Sequence, residues 1–204
     1  MENYNKEIKL RNRLRMRKNI KTLIFDEKKI AGDIIKVAEA ILSDFSKKSL
    51  HDIAFLGMQL KGVPLARRII SSIKASSGIS IPLGTLDISM YRDDIGIRKT
   101  LPVIHETDIP FDLNNRAIIL VDDVLHTGRT IRAALDAITD YGRPSFIKLA
   151  VLVDRGQREF PIQADYIGEM CHVSEGEHVS VSWKELEGVD AVYMTPEKNK
   201  GVII

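Results

Sequence analysis

The sequence predicts an α/β fold: a central, mostly parallel sheet flanked by helices. Three observations carry that prediction. Nearly unbroken apolar runs stand at Ile53–Leu56, Ile118–Val121 and Phe146–Val153. Each run ends in a polar or glycine-containing loop, and helical patterns follow the first two, from Pro64 and from Arg129. Strand, loop and helix in that order form the unit from which parallel sheets are built, and strands covered on both faces read as continuous apolar runs.

In chain order, Thr22–Phe25 reads as a short strand and Asp26 as the cap of the helix that follows. Ile30, Ile34, Val37, Ala38, Ile41 and Phe45 recur at helical spacing, which leaves Asp33, Lys36, Glu39 and Asp44 for an exposed face of mixed sign. After the 53–56 strand, Gly57–Gly62 is a glycine-bounded loop. Pro64 suits the first turn of a helix that buries Val63, Ala66, Ile69, Ile70 and Ile73. Thr85–Tyr91 alternates like a strand. The polar Arg92–Lys99 stretch and the irregular segment from Pro102 to Pro110 come next, with Arg and Lys concentrated where an anion could be closed over. His105 reads as a surface loop residue. Helix 129–141 buries Ile131, Ala134, Leu135 and Ile138 and stops at Gly142-Arg143-Pro144. Residues 164–168 and 179–183 read as late strands, and Ala191–Met194 as an added edge strand.

The 204 residues suffice for one domain with a sizeable core. No apolar run approaches the length of a membrane span, and the N-terminus lacks the apolar core of a secretory signal. A single cysteine, Cys171, excludes an internal disulfide framework, so the chain reads as cytoplasmic. Cys171 and His172 have no second pair at zinc-site spacing. Of the net charge of +2, residues 1–21 carry eight Lys/Arg against two Glu. The division expected is therefore a basic arm, 1–21, and an acidic domain, 22–204. The arm could be solvated, could meet nucleic-acid phosphates, or could strap onto an acidic neighbouring subunit.

The most informative stretch is Ile118–Thr130. Its apolar run ends in Asp122-Asp123, and the turn Thr127-Gly128-Arg129-Thr130 opens a helix. Backbone N–H groups at a helix start are unpaired and carry the positive end of its dipole, Gly128 permits close approach, and two threonine hydroxyls add donors. That is a monophosphate cradle. The Gly-Lys-Ser/Thr ending of a Walker loop is absent. Two carboxylates cannot bind the phosphate themselves. They stand where a phosphorylated sugar presents its hydroxyls, which they can accept, and they are hard ligands for Mg²⁺. The competing reading is that one of them only caps the helix.

Val121–Thr130 resembles the phosphoribosyl-diphosphate (PRPP) motif of type I phosphoribosyltransferases. Gly84–Asp94, Thr107–Asp112, Ala133–Ala137 and Leu149–Gly156 resemble, more specifically, the PyrR-like family of pyrimidine-operon attenuators that are also uracil phosphoribosyltransferases. The likeness spans about residues 22–185. It implies the type I phosphoribosyltransferase fold, with a small hood, and the reaction of uracil with PRPP to UMP and pyrophosphate with Mg²⁺. It implies that Thr127, Gly128, Arg129 and Thr130 hold the 5-phosphate, with His126 where tyrosine is common. Asp122 and Asp123 would hold the ribose and the metal, directly or through water. The loop ending in Lys61-Gly62 would meet pyrophosphate, with Lys61 where the family usually has arginine. Arg92 would close over pyrophosphate, and Val153, Asp154, Arg155 and the residues up to Arg158 would lie near the base. A homo-oligomer is likewise implied.

Three functional readings follow. The first is the uracil enzyme, the second a pyrimidine-responsive RNA-binding regulator with secondary catalysis, and the third an enzyme for another base. In the family, RNA contacts come from a basic surface. Here Ile35, Glu39, Gln157, Gln163 and Glu169 stand where threonine, histidine, histidine, arginine and lysine are expected, while Lys36 and Arg158 keep their charge. Acids on such a face repel phosphate, which favours the enzyme.

Overall fold

A computed structural model describes residues 21–93, 104–174 and 176–196. The basic arm before residue 21 and the polar stretch Asp94–Lys99, with Pro102 after it, lie outside the described residues. The strands are β1 (Thr22–Phe25), β2 (Ile53–Met58), β3 (Leu83–Leu86), β4 (Ala117–Leu125), β5 (Phe146–Asp154), β6 (Tyr166–Met170), β7 (Glu177–Ser182) and β8 (Ala191–Pro196). The helices are α1 (Glu27–Asp44), α2 (Gly62–Ser77), α3 (Arg129–Tyr141) and the single turn α4 (Lys184–Glu187).

The larger compact unit, Lys28–Cys171, is built on a five-stranded sheet in the order β3-β2-β4-β5-β6, with every neighbouring pair parallel. All six residues of β2 and the first six of β4 are buried, as expected of central strands covered on both faces. One face of the sheet carries Ala54, Leu56, Met58, Ile118 and Leu120 into a cluster with Ile131, Ala134 and Ile138 of α3. The helix α2 packs on β2 and β4. The second unit is a small antiparallel sheet drawn from both ends of the chain, in the order β1-β8-β7. Here the Ala191–Met194 stretch is the central strand and not an edge. Tyr193 is in register with Leu23 on one side and Ser180 on the other. A lone four-residue apolar stretch at 22–25 carries no signal of which strand it will pair with, so this sheet was not legible as a unit.

Two further expectations change. Asp33 is buried, only 3 % exposed, and not on a solvated face. It lies on the Ile30–Ile34 side of α1 against Gly168, whose missing side chain makes room for it, and Lys29 donates to it at 2.6 Å. Thr85–Tyr91 is also not one strand. Pairing stops at Leu86, and Ser89–Tyr91 forms a 3₁₀ turn. The cause is Asp87. One carboxylate oxygen accepts the Ser89 N–H at 2.7 Å and the other accepts the His105 N–H at 2.5 Å, so the chain is pulled out of the sheet into a turn that delivers Arg92.

Burial opposes the charge of Asp87, but these hydrogen bonds outweigh it and hold its carboxyl below the usual range. A depressed carboxylate stabilises the fold above its unfolded pKa and loses that contribution as pH falls through the folded value. Asp87→Ala strands two amide donors and should cost about 1–3 kcal/mol. Urea unfolding at pH 7 checks this, and the deficit relative to wild type should shrink in acid.

Candidate active site

The strand order places the site. The chain runs from β2 outward to β3, then returns to lay β4 on the other side of β2. Ligands bind outside the carboxyl ends of parallel strands where the order reverses in this way. The loop after β2 contains Lys61 and leads into Gly62. Asp122 and Asp123 stand in the carboxyl-terminal half of β4, which runs on through Val124 and Leu125 to His126–Thr130.

Gly62 fixes how closely these two segments approach. A Cβ built on it would come within 2.2 Å of the Val121 carbonyl oxygen. The first residue of α2 is therefore seated directly on the β4 backbone, one residue before the acidic pair. Backbone cannot yield as a flexible side chain can. Gly62→Ala should cost about 1–3 kcal/mol or more by overpacking and should lower PRPP turnover together with Tm, whereas alanine at Gly32 of α1, where nothing lies within 4 Å, should leave turnover unchanged. Thermal melts and initial rates on both variants check the pair.

Asp122 is 9 % exposed. Its Oδ1 accepts the Asp123 N–H at 2.9 Å, and the Asp123 Oδ1 accepts the Val124 N–H at 3.0 Å. Burial first, and then the neighbouring charge of Asp123, hold the Asp122 carboxyl well above the usual range; the Arg92 guanidinium pulls the other way. Burial likewise raises Asp123, with the Lys61 ammonium as the main counterweight. Lys61 and Arg92, assigned to pyrophosphate from the sequence, thus direct their charge at the two acids. A pair of hard oxygen donors kept under this strain suits Mg²⁺, which takes one or two carboxylates and completes its shell with water and substrate oxygens. Among the described residues no group of three or more His, Cys, Asp or Glu could hold a metal.

Gly128 has φ +88°, a left-handed conformation that glycine adopts without cost, and caps α3. The Arg132 N–H donates to the Gly128 carbonyl at 2.9 Å. This is the first bond of the helix, so the N–H groups of residues 129–131 lie in its open first turn. The Arg129 N–H leans on the Thr127 hydroxyl at 3.3 Å. The Arg129 side chain is occupied elsewhere: it pairs with Glu159 at 2.5 Å and with Asp93, and it lies over the Phe160 ring. What Arg129 offers the cradle is thus its backbone, a distinction the sequence motif does not make.

Asp154 is in register with Leu125 across the β4–β5 pair, and the Arg155 N–H donates to the Leu125 carbonyl at 3.0 Å. Val153, Asp154 and Arg155 are buried beside the cradle. Arg158, read from the sequence as a basic surface residue, instead turns its guanidinium inward onto backbone carbonyls and Asp154. The Asp154–Arg158 spacing of four residues around Gly156 could have flagged this. Two residues that sequence reasoning missed anchor the Arg92 segment. Tyr91 donates to Asp140 of α3 at 2.5 Å, a bond that pushes its phenol up to about 12, and Asp93 pairs with Arg129.

A family model described as the phosphoribosyl transferase domain matches residues 22–186. With that match, a parallel sheet reversing at β2/β4 and a helix-start cradle behind two acids, the class is a phosphoribosyltransferase. The chain belongs to this family and, within it, to the PyrR-like group. It is 47 % identical over 167 residues to the "Bifunctional protein PyrR" of Roseiflexus sp. (strain RS-1), covering 80 % of this chain and 91 % of that protein. It is 44 % identical over 182 residues to the protein of the same name from Acetivibrio thermocellus, covering 89 % and 97 %. Among solved structures, a hypoxanthine-guanine phosphoribosyltransferase (hpt-2) from Bacillus anthracis superposes with a TM-score of 0.65 over 87 % of this chain and 99 % of that one; at 16 % identity it shares the fold. Among the described residues no helix is long and apolar enough to cross a membrane.

Proposed function

We propose that this chain transfers the phosphoribosyl group of PRPP to a nucleobase, uracil foremost, giving UMP and pyrophosphate with Mg²⁺. The observation that carries the reading is the pair of buried Asp122 and half-buried Asp123 near the end of the central strand, with Lys61 and Arg92 as their counter-charges and the Thr127–Thr130 turn following. The bond from the anomeric carbon to pyrophosphate breaks, the bond from that carbon to the ring nitrogen forms, and the nitrogen's proton is released. The sugar becomes oxocarbenium-like, as in glycoside chemistry. The cradle anchors the 5-phosphate and the two carboxylates accept the ribose hydroxyls, so the anomeric carbon is held at a fixed reach from the β5 loop that would receive the base. Lys61 and Arg92 meet the charge that grows on the departing pyrophosphate. Mg²⁺, when bound, neutralises pyrophosphate oxygens and is held from the protein side by Asp122 and Asp123, directly or through water.

Uracil rests on the PyrR-like resemblance. A panel of pyrimidine and purine bases with PRPP and Mg²⁺, scored by pyrophosphate release, tests it. Uracil should be turned over fastest. Release with a purine only would reassign the base, and release with none would sink the enzyme reading.

The relatives' name, "bifunctional", favours a second reading in which the chain also binds pyrimidine-operon leader RNA. Lys36 and Arg158, the cations kept on the face expected to meet RNA, and Lys29 beside Glu169 make bonds within the protein. Lys29 pairs with Asp33 and Glu169, Lys36 donates to the Gly168 carbonyl at 2.7 Å, and Arg158 faces inward. These pairings support catalysis as the main function. Gel shift with leader RNA at low salt decides, and tight hairpin-specific binding would restore the regulator. A homo-oligomer, implied by the resemblance, is tested by light scattering.

A further inference from the structure

Three consecutive backbone carbonyls at the entry to the cradle are all held by one loop. The Leu125 carbonyl accepts the Arg155 N–H at 3.0 Å. The His126 carbonyl accepts an Arg158 Nη1–H at 2.8 Å. The Thr127 carbonyl accepts the N–H groups of Glu159 at 2.9 Å and Phe160 at 3.0 Å. In a trans peptide the C=O and the next N–H point in opposite directions. Fixing these carbonyls toward the β5 loop therefore aims the N–H groups of His126, Thr127 and Gly128 the other way.

The His126 carbonyl is held by a side chain, where the other two are held by backbone N–H groups. That side chain makes three further bonds. Arg158 Nε donates to the Ile162 carbonyl at 2.9 Å, Nη1 also donates to the Gly156 carbonyl at 3.1 Å, and Nη2 pairs with Asp154 Oδ2 at 2.5 Å. Asp154 is itself 4 % exposed and anchored at the end of β5. A guanidinium can serve several acceptors at once from a rigid plane, and an ammonium cannot.

We propose that Arg158 is a positioning residue that locks the 126–127 peptide and thereby aims the Thr127 N–H at the anion in the cradle. This rests on the phosphoribosyl reading above. Arg158 acts on the phosphate-bearing substrate without touching the base. The β5 loop keeps its own ties when Arg158 is removed, through the Gly156 N–H to Asp154 at 2.9 Å and the Arg155 N–H to Leu125.

The test uses the full chain and three proteins: wild type, Arg158→Ala and Arg158→Lys. Calorimetry measures affinity for ribose 5-phosphate, and steady-state rates give KM for PRPP and for the base separately. Arg158→Ala should weaken ribose 5-phosphate and raise the KM for PRPP at least tenfold, with the KM for the base changed less than threefold. Arg158→Lys keeps a cation beside Asp154 but cannot span the carbonyls, and it should show the same split at near wild-type Tm. Millimolar methylguanidine should restore Arg158→Ala, and methylamine should not. If Arg158→Ala fails to fold, Arg158→Lys decides alone. A folded variant with wild-type affinity for ribose 5-phosphate overturns the inference while leaving the enzyme reading intact, and so does an equal rise in both KM values. If wild type itself binds neither PRPP nor ribose 5-phosphate, both fall.

Discussion

Replacing Arg92 by alanine is expected to lower kcat about 10²–10³-fold, the usual consequence of deleting one preorganised donor to developing charge. The direction follows from where its charge lies. Without substrate, Arg92 pulls on the buried Asp122 carboxyl; with substrate, the growing negative charge is on pyrophosphate. Its attraction strengthens during the bond-breaking step, and an interaction stronger in the transition state than in the ground state appears in kcat. The KM for the base should stay within threefold, since Arg92 is not assigned to it. Steady-state pyrophosphate release with base and PRPP varied separately is the measurement. A kcat unchanged beside a raised KM for PRPP would reduce Arg92 to a binding residue.

Neutralising one acid of the pair should have two opposite effects in the same molecule. Asp122→Asn is nearly isosteric and keeps an oxygen to accept the Asp123 N–H, but it removes a buried charge that repels its neighbour. Relief of that repulsion should raise stability by about 1–2 kcal/mol, within the range seen when buried charges are replaced. For a domain of this size that is about 2–8 °C in Tm. At the same time kcat/KM for PRPP should fall at least about 10²-fold, because a hydroxyl acceptor and a hard metal ligand are lost. Asp123→Asn should behave alike with a smaller gain in Tm, since Lys61 already offsets its charge. A scanning melt and a PRPP titration on the same preparations suffice. An Asp122→Asn protein that melts lower than wild type and still turns over would show that the pair serves the fold.

Much of this was readable before any coordinates, and the reasons differ by element. β2, β4 and β5 announce themselves because strands covered on both faces read as nearly continuous apolar runs, so the acids that close such a run mark the approach to the rim of the sheet. Helix α3 matched its predicted bounds, 129–141, because Gly128 before it and Gly142 after it are local signals. The place of the acidic pair late in a strand and of Thr127–Thr130 at a helix start was legible for the same reason. What was not legible depended on partners far along the chain. Asp33 was expected on the exposed face because its room is provided by Gly168, more than a hundred residues away. The turn at Ser89–Tyr91 was expected as strand because His105, one of the two donors that hold Asp87, comes from a distant segment. Arg158 looked like a surface cation because its acceptors are backbone carbonyls, which every sequence has and none displays. Residue types that recognise side chains leave a trace in sequence, and those that recognise backbone do not.

The two halves of the candidate site hang from strands of very different standing. β4 is paired along both edges, by β2 and by β5, whereas β3 is a four-residue edge strand whose outer side, among the described residues, meets only the isolated bridge from Thr85 to Asp108. Amide hydrogen exchange should therefore divide the site. Protons in the interior of β4, leading up to Asp122, should be released only when the whole larger unit opens, while those of β3, which leads to Arg92, should be released by local fraying. The two acids proposed to hold the sugar would thus stay assembled through fluctuations that detach Arg92. Turnover would be lost to mild denaturant while PRPP-sized ligands still protected β4, so inactivation should precede unfolding.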